Sequence, residues 1–185
     1  TDHDSTYGLS DAHAAAKAHY PGLRIIDGVE ISTRWHSFEI HIVGLNIDTG
    51  HPALQAFLAD QQQKREERAA KIADKLAKCG FAGTLERARR YAGVGQITRA
   101  HFARVLVDSF QVATLEKAFK LYLGKGKRAA VKAEWPDIAA AVKVIQQAGG
   151  RAVLAHPIHY DMTTKWLRRL IAEFAEAGGD AAEVV

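Results

Sequence analysis

The chain has a single cysteine, Cys79, so no disulfide can form within it, and the expected compartment is a reducing one such as the cytoplasm. No run approaches about 18 consecutive apolar residues, and no basic-then-apolar leader opens the chain, so neither a membrane helix nor a signal segment is predicted. No 20–50-residue repeat or low-complexity tract is present, which excludes solenoids and arrays. A formal charge of +4 is a mild excess and not the dense basic field of a dedicated DNA-binding domain. It allows an anionic substrate without requiring one. What remains is ordinary soluble composition, 48% hydrophobic and 25% charged over 185 residues, enough for one sizeable core. The chain begins without methionine and stops in what reads as the middle of a strand, so it is expected to be a fragment.

The stretch 24–45 organises the rest. It reads as two strands rich in β-branched residues, Arg24–Ser32 and Glu39–Leu45, joined by a polar turn. Each carries one metal-competent side chain, Glu30 or His41, inside an apolar run. An unpaired polar group there costs on the order of 2–7 kcal/mol, and a charge costs more, so a partner is required. Before this stretch, 11–19 is predicted helical with Ser10 as its N-cap. After it, 53–78 is predicted to be a long, largely solvated helix ended by Gly80, with further helices at 85–92, 99–109 and 115–123. Helix and strand then alternate: helix 137–148, buried strand 151–155, helix 164–177, strand 182–185. That alternation predicts a parallel α/β arrangement, with His156 at the carboxyl end of its strand, where such folds bind ligands. Three segments follow: 1–50, a helical insertion at 51–130, and 131–185.

Asp2-His3-Asp4, Glu30, His41 and His156 thus place imidazoles and carboxylates beside apolar strands. This mixture suits Zn, Mn or Fe, and no tight local signature such as Cys-x-x-Cys accompanies it. Each residue also has an ordinary structural reading. Glu30 could pair with Arg24 or Arg34, His41 could be a half-buried core histidine, His156 could hold a turn, and Asp2–Asp4 could be a polar chain start. The four together favour a metal more than any one does.

In order along the chain, Thr1-Asp2-His3-Asp4, Gly28-Val29-Glu30-Ile31-Ser32, Ile40-His41-Ile42-Val43-Gly44-Leu45, Thr98-Arg99-Ala100-His101-Phe102-Ala103-Arg104 and Ala155-His156-Pro157 resemble the motifs of PHP-domain (polymerase and histidinol phosphatase) phosphoesterases. The nearest resemblance is to the subgroup with a helical insertion, of the nucleoside bisphosphate phosphatase and RNase AM type. It implies a distorted TIM-like (β/α)7 PHP barrel, here truncated at both ends. It implies that His3, Glu30, His41 and His156 bind metal, Glu30 bridging two ions, in a cluster of up to three divalent cations, manganese first and zinc or iron next. It implies hydrolysis of a nucleotide phosphate ester, in a 3′,5′-bisphosphate or a 5′-phosphorylated short RNA, by a metal-bridging hydroxide, with Glu30 and His156 as catalytic residues.

On the substrate side the resemblance implies Arg99, Arg104 and Lys127 as phosphate ligands, with surface charge as their plain alternative. The family's N-terminal His-x-His strand, the Asp after it and a C-terminal Ser-Asp-x-His strand are absent here. Two substitutions bear on substrate preference. The subgroup's His-Pro-Gly-Arg-Tyr becomes His156-Pro157-Ile158-His159-Tyr160, so His159 stands in for a phosphate-binding arginine. Its Gly-Lys-Pro-x-Tyr-Val has Arg128 and Ala130 in place of proline and tyrosine. The rival function classes are a PHP module without catalysis and a nucleic-acid-binding module gripping phosphates through basic helices at 64–78 and 87–90. The mixed charge of those helices, with Glu66, Glu67, Asp74 and Glu86, reads better as a solvated face. No obligate protein partner is readable.

Overall fold

Eight β-branched and apolar-rich residues on either side of a two-residue turn set the centre of the sheet-bearing part of the chain. In the computed structural model, which describes residues 1–109 and 111–184, β1 (Gly28–Trp35) and β2 (Phe38–Leu45) form an antiparallel hairpin around His36 and Ser37. So short a connection permits only antiparallel pairing. The register sets Ile31 against Ile42 and Thr33 against Ile40, and the period of two puts Val29, Ile31, Trp35, Ile40 and Ile42 on one face. Ile31, Ile40 and Ile42 are fully buried, each contributing about 1.5–3 kcal/mol, and the Thr33 hydroxyl in their midst donates to Ile40 O at 2.8 Å.

Onto that face packs α6 (Ile138–Gln147), through Ala141, Val142 and Ile145. The Asp137 carboxylate starts this helix by accepting from Ala140 N–H at 2.8 Å. Gly44 allows its close approach, since a Cβ there would meet Ile145 Cγ1 at 2.9 Å. From α6 the chain turns into β3 (Arg151–Leu154), which pairs antiparallel with β2, and α7 (Thr164–Glu176) leads to β4 (Ala181–Ala182), parallel to β3. The sheet order is β1-β2-β3-β4.

The expected parallel arrangement therefore needs correction: among the four described strands, β3 and β4, joined through a crossover helix, run parallel, and the other two pairings are antiparallel. Smaller corrections have local reasons. Residues 24–27 are not strand, and Ile26 is exposed. The first helix, α1 (Gly8–His19), begins ahead of Ser10, which therefore lies inside it and caps nothing. The predicted strand at 182–185 is short, and its last residue, Val185, lies outside the described residues.

The chain divides into two compact units, Thr1–Gln61 with Glu134–Val185, and Gln62–Ala133. The long helix α2 (Pro52–Lys78) crosses the boundary, giving Leu54 and Leu58 to the first core and Ala69, Ile72 and Leu76 to the second. The second unit continues with α3 (Thr84–Ala92), α4 (Arg99–Asp108) and α5 (Leu115–Ala118). Thr98 and His101 close a capping box at the start of α4. The helix expected over 115–123 is instead α5 followed by a π-helical turn, Phe119–Leu123, closed by Gly124 N–H donating to Phe119 O. Among the described residues no helix is long and apolar enough to cross a membrane.

Candidate metal centre

The face of the hairpin opposite the core carries the polar residues. Glu30 stands opposite Val43 and Ser32 opposite His41, so Glu30 and His41 are diagonal neighbours on one face. His156 reaches the same place because Ala155 N–H donates to His41 O at 3.1 Å, extending β3 to the point where the next side chain meets His41. His3 arrives from the chain start, which lies parallel to β1: Glu30 N–H donates to Asp2 O, and Asp4 N–H to Glu30 O. Asp4, buried and at φ +50°, fixes that segment, its carboxylate accepting from Ser32 N–H at 2.8 Å and from the Gln61 amide at 3.1 Å.

The four side chains converge. Glu30 Oε1 lies 3.1 Å from His41 Nδ1 and 3.2 Å from His156 Nε2, which are themselves 3.2 Å apart. His3 Nδ1 stands 3.9 Å from Glu30 Oε2, and its ring meets that of His41 edge-on at 4.7 Å. Hydrogen bonding alone satisfies such a triangle poorly, because one ring proton can serve only one of two neighbours. Three lone-pair donors this close are what a cation with ligand distances of roughly 2.0–2.2 Å draws together. Ligand atoms of His3, Glu30 and His41 all lie within 4.8 Å of one another. The donor set therefore fits a divalent ion of the Zn, Mn or Fe kind. The hydrogen bond from His41 holds the Glu30 carboxyl down at about 2 against the effect of burial, helped by the charges of His3 and His41 and the hydrogen bond from His156. Glu30 is thus an anion at any physiological pH.

Two residues that the sequence reading passed over complete this arrangement. The Tyr160 hydroxyl accepts the main-chain N–H of His41 at 2.9 Å, and its ring lies 5.3 Å from that of His156. Burial pushes the Tyr160 phenol up to about 12. Glu183, just past β4, accepts the main-chain N–H of His156 at 2.7 Å. That bond matters because His156 adopts φ +30° and ψ +54°, a left-handed conformation that costs about 1–3 kcal/mol for a residue with a side chain. Tyr160 closes the His-Pro-x-x-Tyr motif and Glu183 follows the two strand residues Ala181 and Ala182, but nothing in the sequence marks the main-chain partner of either.

The substrate-side candidates fall in both units. His159 stacks on His156 with ring centres 5.9 Å apart. Arg99, Arg104 and Lys127 all belong to the second unit. Arg99 opens α4. Arg104 pairs with Asp108 at 3.7 Å and lies over the Tyr91 ring, whose hydroxyl bonds the same Asp108. Five residues apart on a helix, Arg99 and Arg104 are turned by roughly 140° from each other. Lys127 is exposed on the turn after Gly124.

No protein-family model matches the chain. It is 49% identical over 183 residues to a 5′-3′ exoribonuclease of Haemophilus influenzae, covering 99% of this chain and 66% of the relative. It is 43% identical over 185 residues to a 3′,5′-nucleoside bisphosphate phosphatase of Chromobacterium violaceum, covering all of this chain and 64% of the relative. The likeness to these two relatives agrees with the PHP-domain resemblance of the chain's motifs. A solved structure from Chromobacterium violaceum, called an amidohydrolase and holding sulfate and no metal, superposes with a TM-score of 0.90 at 43% identity. It covers 98% of this chain and 64% of that one. The chain thus spans just under two thirds of the length of these curated relatives.

Proposed function

We propose that the protein to which this chain belongs is a metal-dependent phosphoesterase. Its substrate is a nucleotide phosphate ester, either a 3′,5′-bisphosphate or the 5′-phosphorylated end of a short RNA. The observation that carries this reading is the meeting of one ionised carboxylate, Glu30, with His41 and His156 at 3.1 and 3.2 Å and with His3 at 3.9 Å. Those four residues hold the metal, manganese by first choice and zinc or iron otherwise, up to three ions in the complete protein. Divalent cations supply Lewis-acid charge for phosphoryl oxygens and a nucleophile at neutral pH.

The chain's own residues prepare the place. Glu30 stays anionic and presents Oε1 to two imidazoles and Oε2 to a third, which sets the spacing of the donors. Tyr160 and Glu183 fix the backbone under His41 and His156, so neither ring has to be ordered when substrate arrives. His159 offers a ring N–H to phosphate where the family has an arginine. Arg99, Arg104 and Lys127 add cationic donors, the arginines through a fork that matches phosphate geometry. The chain is read as a truncated, TIM-like (β/α)7 PHP barrel in segments 1–50 and 131–185 with a helical insertion at 51–130, working in the cytoplasm.

The test is phosphate release from 3′-phosphoadenosine 5′-phosphate and from 5′-phosphorylated RNA with added Mn²⁺. It uses a version extended to the relatives' full length and its His156→Ala variant. Turnover lost with His156 is expected. Metal binding without turnover of either substrate would overturn the hydrolase reading in favour of a non-catalytic module.

A further inference from the structure

Charge is unevenly spread along the chain. Residues 111–133 hold six cations, Lys117, Lys120, Lys125, Lys127, Arg128 and Lys132, against one carboxylate, Glu116. That excess of five exceeds the +4 of the whole chain, so everything outside these 23 residues sums to −1. All six cations are exposed, and among the described residues none of them has an ion-pair partner. Other arginines of the same unit do: Arg89 with Glu66 at 2.6 Å, Arg90 with Glu86 at 2.7 Å, Arg104 with Asp108 at 3.7 Å.

The backbone gathers them. Ala129 N–H donates to Tyr122 O at 2.9 Å and Lys127 N–H to Gly124 O at 3.0 Å, folding the Gly124–Arg128 turn back on the π-helical turn that carries Lys120. Gly126 supplies the φ of +76° that this requires. From α2, the Lys75 ammonium donates to Ala130 O at 2.6 Å and adds a cation beside the turn. Like charges so gathered repel one another unless an anion neutralises them.

We infer that Lys117, Lys120, Lys125 and Arg128 form a binding surface for RNA backbone phosphates other than the one hydrolysed. The inference rests on the hydrolase reading above for its choice of RNA, and it deepens that reading by making a chain, not a mononucleotide, the preferred ligand. An acidic protein is the poorer fit, because lysine is depleted in protein–protein interfaces whereas phosphate backbones are met by lysine and arginine.

The experiment compares this chain with the variant K117A/K120A/K125A/R128A, in EDTA so that nothing is cleaved. The probe is a 5′-phosphorylated 12-nucleotide RNA labelled at its 3′ end, read by fluorescence anisotropy from low to moderate salt, with 3′-phosphoadenosine 5′-phosphate as the short competitor. For the unaltered chain, affinity falls with salt. The variant is expected to bind the RNA at least about tenfold more weakly at low salt, with a salt slope smaller by roughly 2–3, as loss of four phosphate contacts on a single strand dictates. Its affinity for the mononucleotide and its circular dichroism stay the same. Equal RNA affinity and slope in both proteins would overturn the inference, as would polyglutamate displacing the RNA as well as unlabelled RNA does. Phosphate release in the earlier assay is a separate readout: its failure removes the hydrolase and leaves the salt slopes to judge the surface.

Discussion

Ionisable groups meet opposite fates in the two units. In the unit built on the sheet they are drawn together and held: Glu30 among three imidazoles, Asp4 buried against Ser32 and Gln61, His156 in a left-handed conformation secured by Glu183. In the helical unit, Gln62–Ala133, the pairs Arg89–Glu66, Arg90–Glu86 and Arg104–Asp108 lie at the surface and the cations of 111–133 stand exposed. A partly buried carboxylate must be compensated at a fixed distance, so it specifies geometry. A surface cation is screened by water and salt, so it specifies mainly the sign of a partner. Substitutions in the first unit should therefore act through position, and those in the second through charge.

The largest effect belongs to Glu30→Gln. In the full-length protein it is expected to lower metal-dependent phosphate release at least about 100-fold, roughly 2.7 kcal/mol of barrier. Retention of more than about a tenth of the activity would place Glu30 outside the mechanism.

Acid is next. The Glu30 carboxyl falls from its ordinary 4.5 to about 2 in the folded chain. A carboxyl whose pKa is depressed by folding stabilises the fold above the unfolded value and loses that contribution as pH drops through the folded value. In metal-free protein, a contribution discounted for solvent screening to about 1–2 kcal/mol should therefore be present above pH 4.5 and disappear on the way to pH 2. Urea unfolding at a series of pH values should show the unaltered chain losing this stability and the Glu30→Gln variant showing no such loss.

Glu183→Gln keeps an acceptor but removes its charge, and Glu183→Ala removes both. The expected order is a loss of about 0.5–1.5 kcal/mol for the first and about 1–3 for the second, by urea unfolding, with weaker metal binding in the same order. Equal losses would mean that the bond to the His156 amide carries no weight. Tyr160→Phe deletes only the hydroxyl that takes the His41 amide, and about 1 kcal/mol is expected from thermal unfolding. The smallest effect on stability is that of Arg104→Ala, under about 1 kcal/mol, since its pair with Asp108 is exposed. If that variant nonetheless raises KM for the nucleotide in the full-length enzyme, Arg104 leaves Asp108 for phosphate. An unchanged KM would return it to the solvated surface.

What could be read beforehand follows the same division. Glu30 and His41 were legible because a charge inside a β-branched run breaks an otherwise apolar pattern, and period two then assigns both to one face. His156 was legible from its place after a buried strand. The antiparallel pairing of β2 with β3 was not, because alternation of helix and strand carries no sign of which strands become neighbours. Tyr160 and Glu183 stayed hidden for another reason. They act on main-chain N–H groups, and every residue but proline has one, so no side-chain pattern marks the partner. The turn from α-helix to π-helical geometry at Phe119 was equally invisible, since 115–123 has ordinary helical spacing.

The claim at the centre is that Glu30 with His3, His41 and His156 holds a divalent metal. Isothermal titration of the metal-stripped chain with Mn²⁺ and Zn²⁺, beside the Glu30→Gln and His41→Ala variants, tests it without needing turnover. The account predicts binding by the unaltered chain that weakens at least about tenfold in each variant. Binding that is the same in all three, or absent from the unaltered chain, would contradict it.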